Sequence, residues 1–170
     1  MFYWVLGPIR SVVKALLSES SPRQLALGFA MGMVIGLVPK GNLIAVALMM
    51  ILGASRVNVG VGMFSAFMFS WAGSMTDRWT HEIGLWLLEL PQLQSFWTEA
   101  YNTPVVPWTD FNNTVVLGSL VLGLGLFVPV YFLSRPVFEK YTETVVARMK
   151  KYRATKLLWA TEVSDRLGSI

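Results

Sequence analysis

The strongest constraint on this chain is the stretch Ser21 to Arg56, SPRQLALGFAMGMVIGLVPKGNLIAVALMMILGASR. Leu25 to Val38 is apolar without a break, Pro39-Lys40-Gly41-Asn42 interrupts it, and Leu43 to Ala54 is apolar again. Lys40 is the sole charge between Arg23 and Arg56. A helix rises about 1.5 Å per residue, so each half reaches only about 20 Å. A bilayer hydrocarbon core is about 30 Å thick and takes about 20 residues to cross. One run of both halves is too long and carries a lysine near its middle. The stretch therefore reads as two short helices meeting at a Pro-Lys-Gly-Asn turn, a hairpin that is re-entrant or crosses the membrane only just.

Composition agrees with a membrane class. Of the 170 residues, 54% are hydrophobic and only 14% are charged, against about 25% charged in soluble domains. Mean hydropathy is +0.53. The absence of cysteine excludes disulfides, thiolate metal sites and a cysteine nucleophile. The net charge of +4 sits beside apolar segments, so anionic lipid is the expected partner and nucleic acid is not. The N-terminus, MFYWVLGPIR, lacks the basic start, long apolar centre and small-residue cleavage site of a signal peptide.

Along the chain, Ile9, Val12, Val13, Leu16 and Leu17 recur at helical spacing. Residues 1–20 thus read as an amphipathic helix, lying in the interface plane or packed on the remaining protein. Ser21, Pro22 and Gln24 form a capping box with proline at the first helical position. Gly28, Gly32 and Gly36 then repeat every four residues. They make a flat ridge for close backbone approach, within the chain or between copies. Asn42 is positioned to cap the second half of the hairpin. Lys40 beside that helix start suggests an anion site at the tip, or a lysine that snorkels to the nearer polar layer. Residues 58–76 carry no charge and present glycine and serine faces, as a transmembrane helix would. Asp77-Arg78 reads as its end, with the two charges paired at the interface. Trp79 to Leu90 reads as an amphipathic surface helix, and Pro91 to Thr114 as an aromatic loop with three prolines. Residues 115–134 form the clearest span by length. Arg135-Pro136 reads as its end, with Pro129 kinking it. The segment 136–170 reads as a basic amphipathic helix, in which Arg148, Lys150, Lys151, Arg153 and Lys156 cluster. Such a cluster attracts anionic leaflets, fixes topology, or does both.

No lysine or arginine lies between Arg78 and Arg135, whereas three precede the hairpin and eight lie from Arg135 onward. The positive-inside rule then places both termini in the cytoplasm and residues 79–114 outside. Chemistry is sparse. His81-Glu82 begins like a zinc helix, but position 85 is Leu and there is no second histidine. Glu82, Glu89, Glu99 and Asp110 form no selected pair, and no serine has a histidine partner at helical spacing. No acid–base constellation is assembled.

Ser21-Pro22, the glycine-rich apolar helix to Pro39, Gly41-Asn42 and Arg56-Val57-Asn58 resemble an uncharacterised family of small bacterial inner-membrane proteins, a domain of unknown function. The resemblance covers roughly residues 20 to 135. It implies a helical fold in the bacterial inner membrane and a subunit role beside a larger partner, and it carries no catalytic residue.

The expectation is therefore an all-α polytopic membrane protein. It has a re-entrant or short-crossing hairpin, two further transmembrane helices, and amphipathic N- and C-terminal helices. The expected role is a non-enzymatic anchor or subunit of an envelope complex that handles anionic lipid, without a cofactor. Lys40, Gly41, Asn42 and Arg56 are the candidate lipid-binding residues. A small solute transporter or channel, built as a homo-oligomer, is the alternative.

Overall fold

A computed structural model describes residues 21–167, with side chains described through residue 142. The expected N-terminal amphipathic helix lies outside the described residues. Within them the chain forms five α-helices, two short 3-10 turns and no strand. The helices are α1 (Pro22–Leu37), α2 (Leu43–Ala54), α3 (Val59–Glu89), α4 (Gln94–Asn102) and α5 (Thr114–Leu167). The 3-10 turns are Pro91–Leu93 and Val106–Thr109.

Local signals set the three helix starts of the hairpin region. Ser21 and Gln24 make the full capping box. The Gln24 amide donates to Ser21 Oγ at 3.3 Å, and the Ser21 amide donates to Gln24 Oε1 at 2.9 Å. Asn42 Oδ1 accepts from the Ala45 amide at 2.9 Å. Asn58 Oδ1 accepts from the Val61 amide at 2.8 Å. Each cap answers one of the donors that a helix start leaves without an intrahelical partner.

Helix α1 is the centre of the bundle. Ten of its residues are buried, from Leu25 to Leu37, and α3 and α5 pack on it and on each other. The glycine ridge makes this possible. A β-carbon at Gly28 would come within 2.5 Å of the Asn58 carbonyl oxygen, and one at Gly36 within 2.5 Å of the Phe69 β-carbon. At Gly32 it would overlap the Gly62 carbonyl oxygen outright. The ridge is therefore consumed within the chain, against the backbone of α3. Ser65 Oγ donates to the Phe29 carbonyl at 2.7 Å across the same seam. Matching of rising residue numbers, 28 with 58, 32 with 62 and 36 with 69, shows that α1 and α3 run parallel.

Helix α3 does not stop at Asp77-Arg78 as expected; it continues to Glu89 and absorbs the anticipated surface helix. Neither residue breaks a helix. Both are exposed, and Arg78 approaches Glu82 one turn on, at 3.8 Å, instead of pairing with Asp77. The extended part of α3 has its own partner. β-Carbons at Gly84 and Gly118 would overlap the carbonyl oxygens of Thr114 and Thr80 respectively. A second close crossing, antiparallel this time, thus joins α3 to α5.

Helix α5 likewise passes through both Pro129 and Pro136. Arg135 and Glu139 bridge the turn around Pro136 at 2.9 Å. The expected end at Arg135-Pro136 is therefore corrected: Pro136 removes one donor without ending the helix. Thr114–Thr142 is the one described segment long and apolar enough to cross a membrane, and only 28% of its most apolar window is buried. The region expected as loop contains α4 and both 3-10 turns, with Trp97 stacked on buried Phe111 at 5.6 Å.

Gly32→Val is expected to cost about 3 kcal/mol or to abolish folding, since backbone blocks the new methyls. Gly125, where a β-carbon meets nothing within 4 Å, gives the opposite sign: Gly125→Ala should gain up to about 1 kcal/mol through lower backbone entropy. Denaturant unfolding of the purified protein measures both. Equal stabilities for the two variants would contradict the close crossing.

Candidate functional site at the hairpin tip

The turn between α1 and α2 is built from its own backbone. Gly41 takes φ +102°, a conformation side chains rarely adopt. Buried Asn42 closes the turn from both directions, donating through Nδ2 to the Pro39 carbonyl at 2.9 Å while capping α2. Lys40 folds back over the end of α1. Its ammonium donates to the carbonyls of Ile35 at 2.5 Å, Val38 at 2.5 Å and Gly36 at 3.2 Å. An ammonium has three donors, and all three are occupied. A cation on the last carbonyls also opposes the negative end of the α1 dipole. Lys40 is thus a C-terminal cap of α1.

This geometry separates the four residues grouped by sequence. Lys40, Gly41 and Asn42 meet at the tip. Arg56 sits at the opposite, basal end: its carbonyl accepts from Gln24 Nε2 at 3.3 Å, and the neighbouring Asn58 amide donates to the Gln24 carbonyl at 3.3 Å. A four-residue site is therefore not formed, because the return of α2 carries Arg56 the whole length of the hairpin. Gly28, Gly32 and Gly36 serve the α1–α3 seam. Arg148, Lys150, Lys151, Arg153 and Lys156 lie along α5 beyond the last described side chain.

Beside the tip lies a crevice of about 190 Å³, part polar and part apolar, between the end of α1 and the middle of α3. Lys40, Ser70, Gly73, Ser74 and Asp77 line it, with the end of α1 as its other wall. Ser70 Oγ donates to the Ala66 carbonyl and Ser74 Oγ to the Trp71 carbonyl, each at 2.8 Å. The Asp77 carbonyl accepts from Thr80 Oγ1 at 3.1 Å, whereas its carboxylate makes no hydrogen bond or ion pair among the described residues. Two other hollows differ in character. One, of about 280 Å³, is lined by apolar residues of α1, α2 and α5, including Met31, Leu48 and Phe127. The other, of about 440 Å³, is an open cleft beside Trp97, Tyr101 and Phe111.

Sequence reasoning missed two features. By adjacency Asp77 reads as the partner of Arg78, and that pairing hides its place in the crevice. The α3–α5 crossing was also missed, although Thr80-x-x-x-Gly84 and Thr114-x-x-x-Gly118 repeat the same four-residue spacing of small residues as the ridge on α1. His81 finds a role there too, its Nδ1 lying 2.6 Å from Thr114 Oγ1.

Lys40→Met is expected to free three carbonyls and to speed amide exchange in the last turn of α1, at a cost of about 1–2 kcal/mol. Asn42→Ala should cost about 1 kcal/mol and fray the first turn of α2 instead. Hydrogen exchange read by mass spectrometry separates the two. Unchanged exchange in α1 for Lys40→Met would remove the capping assignment.

A protein of Treponema pallidum (strain Nichols), itself described as uncharacterized, is 29% identical over 131 residues, which cover 77% of this chain and 81% of that protein. No solved structure matches the chain. Residues 9–145 match a bacterial family described as "Uncharacterized protein conserved in bacteria (DUF2062)", and the chain belongs to that family.

Proposed function

We propose that the chain is a polytopic, non-enzymatic protein of the bacterial inner membrane that serves as an anchor or subunit of an envelope assembly. The observation that carries this reading is the direction of its large apolar side chains. The buried centre combines glycine, alanine and serine with the large apolar side chains of α1, and many further large apolar residues face outward. Met50 on α2, Phe67 and Trp71 on α3, and Leu133 on α5 are 67–73% exposed. Soluble monomers rarely expose apolar surface on this scale, and a continuous belt of it marks a membrane or interaction surface.

The belt has the right height. It surrounds α1, since α3 lies along α1 through Gly28, Gly32 and Gly36, and α5 reaches it at Val34 through Gly123 and Phe127. Arg23 and Arg56 bound one end; Lys40, Asp77 and Arg78 bound the other. From Arg23 to Lys40 is about 25 Å at helical rise, close to a hydrocarbon core of about 30 Å. On this reading α1 and α2 cross as short helices, α3 crosses with its lower half, and α5 crosses back. Arg135, within the last part of that span, is half exposed and held by Glu139, which suits a side chain that snorkels.

Basic residues then gather on one side, at Arg23, Arg56 and the C-terminal part of α5. By the positive-inside rule that side is cytoplasmic, and it attracts the anionic leaflet. Anionic lipid is handled at this basal end in our reading, because the Lys40 donors at the tip are already occupied. The solute-transporter alternative is weaker: the hollow beside α1 is apolar throughout, and a solute path needs polar lining.

The chain contains no cysteine, so single-cysteine variants need no prior engineering. Phe67→Cys and Leu126→Cys are expected to resist a membrane-impermeant maleimide in intact cells and in inverted vesicles alike. Glu99→Cys should react only in cells with the outer membrane permeabilised. Ready labelling of Phe67→Cys from either side would defeat the membrane reading, and labelling of Glu99→Cys only in inverted vesicles would reverse the topology.

A further inference from the structure

We infer that the crevice between Lys40 and Asp77 is a site for a primary ammonium group, carried by a lipid headgroup or by a free small amine. The argument is an inventory of donors and acceptors. All three Lys40 donors are taken by the carbonyls of Ile35, Gly36 and Val38. Ser70 and Ser74 each donate their hydroxyl hydrogen within α3 and keep oxygen lone pairs. Asp77 offers a carboxylate with no partner among the described residues. Pro39, at the end of α1, has no amide hydrogen. The side-chain capacity left in the crevice is therefore for accepting hydrogen bonds, and it is anchored by one full negative charge.

Charge points the same way. The Lys40 ammonium is in contact with the terminal carbonyls of α1, which carry about half a negative charge between them. Adding Asp77 leaves the crevice net negative. Arg78, which sequence adjacency offers as a partner for Asp77, lies near Glu82 instead. An anion would meet acceptors and a lysine with no free donor. A primary ammonium would bring three donors to a carboxylate and two hydroxyl oxygens, forming charge-assisted hydrogen bonds. Size is compatible, since a crevice of about 190 Å³ admits a headgroup amine. The small residue at the floor matters as well: a β-carbon at Gly73 would stand 3.2 Å from the Leu37 carbonyl oxygen and narrow the gap.

The lipid source rests on the membrane reading above, in which the crevice opens at the outer edge of the belt. The free-amine source does not. The test uses the full-length protein and the soluble probe ethylammonium, titrated in detergent and followed by chemical-shift changes at Ser70 and Ser74. In parallel, the protein is placed in nanodiscs containing equal phosphatidylethanolamine and phosphatidylglycerol, and retained lipid is weighed by native mass spectrometry. Saturable ethylammonium binding is expected, weakened about tenfold by Asp77→Asn, which removes one charge-assisted contact. Lys40→Gln is expected to preserve or tighten it. Selective retention of phosphatidylethanolamine, lost in Asp77→Asn, identifies the lipid as the source; ethylammonium binding without that retention identifies a free amine. Binding unchanged by Asp77→Asn, or displaced equally well by sodium ions, overturns the site. If the protein fails to enter nanodiscs, the membrane reading falls while the detergent titration still decides the crevice.

Discussion

Everything in the bundle follows from how closely α1 and α3 approach. At Gly32 the gap to the Gly62 carbonyl leaves no room for a single methyl group. On the membrane reading proposed above, there is no gain from hiding one apolar helix against another, since lipid tails are as apolar as leucine. What remains is dispersion, which is short-ranged and needs atoms in contact. Three glycines a turn apart supply that contact over the whole length of α1, and Ser65 adds a hydrogen bond across it. The same arithmetic recurs where Gly84 and Gly118 bring α3 against α5. Two seams of small residues, one parallel and one antiparallel, hold three helices together. The large side chains of α1, such as Leu25, Met33 and Ile35, fill the space beside the seams, and many of those on α2, α3 and α5 are left on the outside.

Lys40 shows how local satisfaction overrides a plausible functional reading. A lysine between two apolar helices, next to a capped helix start, resembles an anion site by every rule of adjacency. The deciding quantity is the number of donors. Three carbonyls at the end of α1 lack intrahelical partners, and three ammonium hydrogens reach them. Moving any one of these donors to an incoming anion would strand a carbonyl at the end of α1, and a lost partner for a buried group costs about 1–3 kcal/mol. Arg56 could not compensate, because it sits a full hairpin away. The polar capacity near the tip is instead on α3, at Asp77 and its two serines.

What could be read from residues alone divides along physical lines. Ser21, Asn42 and Asn58 announce their helix starts because capping involves neighbours within three residues. The glycine ridge was legible as a packing face, though spacing alone did not say whether its partner was this chain or another copy. The continuation of α3 past Asp77 was not legible, because a charge pair marks a membrane boundary without marking a helix end. The helix needs only that the charged groups face outward, which they do. Pro136 misled for a related reason: proline removes one bond, and a helix secured on both sides tolerates that loss. Helix α4 was hidden among three prolines whose effect is confined to the turns on either side of it. The crevice was least legible, since it depends on Leu37 lying against Gly73, thirty-six positions away.

Helix α2 stands apart from the rest in a way that bears on how the bundle could change shape. Only Ala45 and Leu52 of its twelve residues are buried, and it makes neither of the small-residue seams. It is held by its cap at Asn42, by Ala45 against Val38 and Val116, by Leu48 against the Met33 and Ile35 clusters, and by Leu52 over Gly62. Local opening begins where buried contacts are few, and among α1, α2, α3 and α5 it is α2 that has the fewest buried residues to lose. The apolar hollow between α2 and α5 lies along its inner side, and the Lys40 clasp secures α1, not α2. Displacing α2 would therefore widen that hollow without breaking either seam or uncapping α1. The architecture thereby separates a rigid three-helix frame from one loosely held apolar flank, and that division comes directly from placing the glycines on one helix of the hairpin and none of the seam on the other.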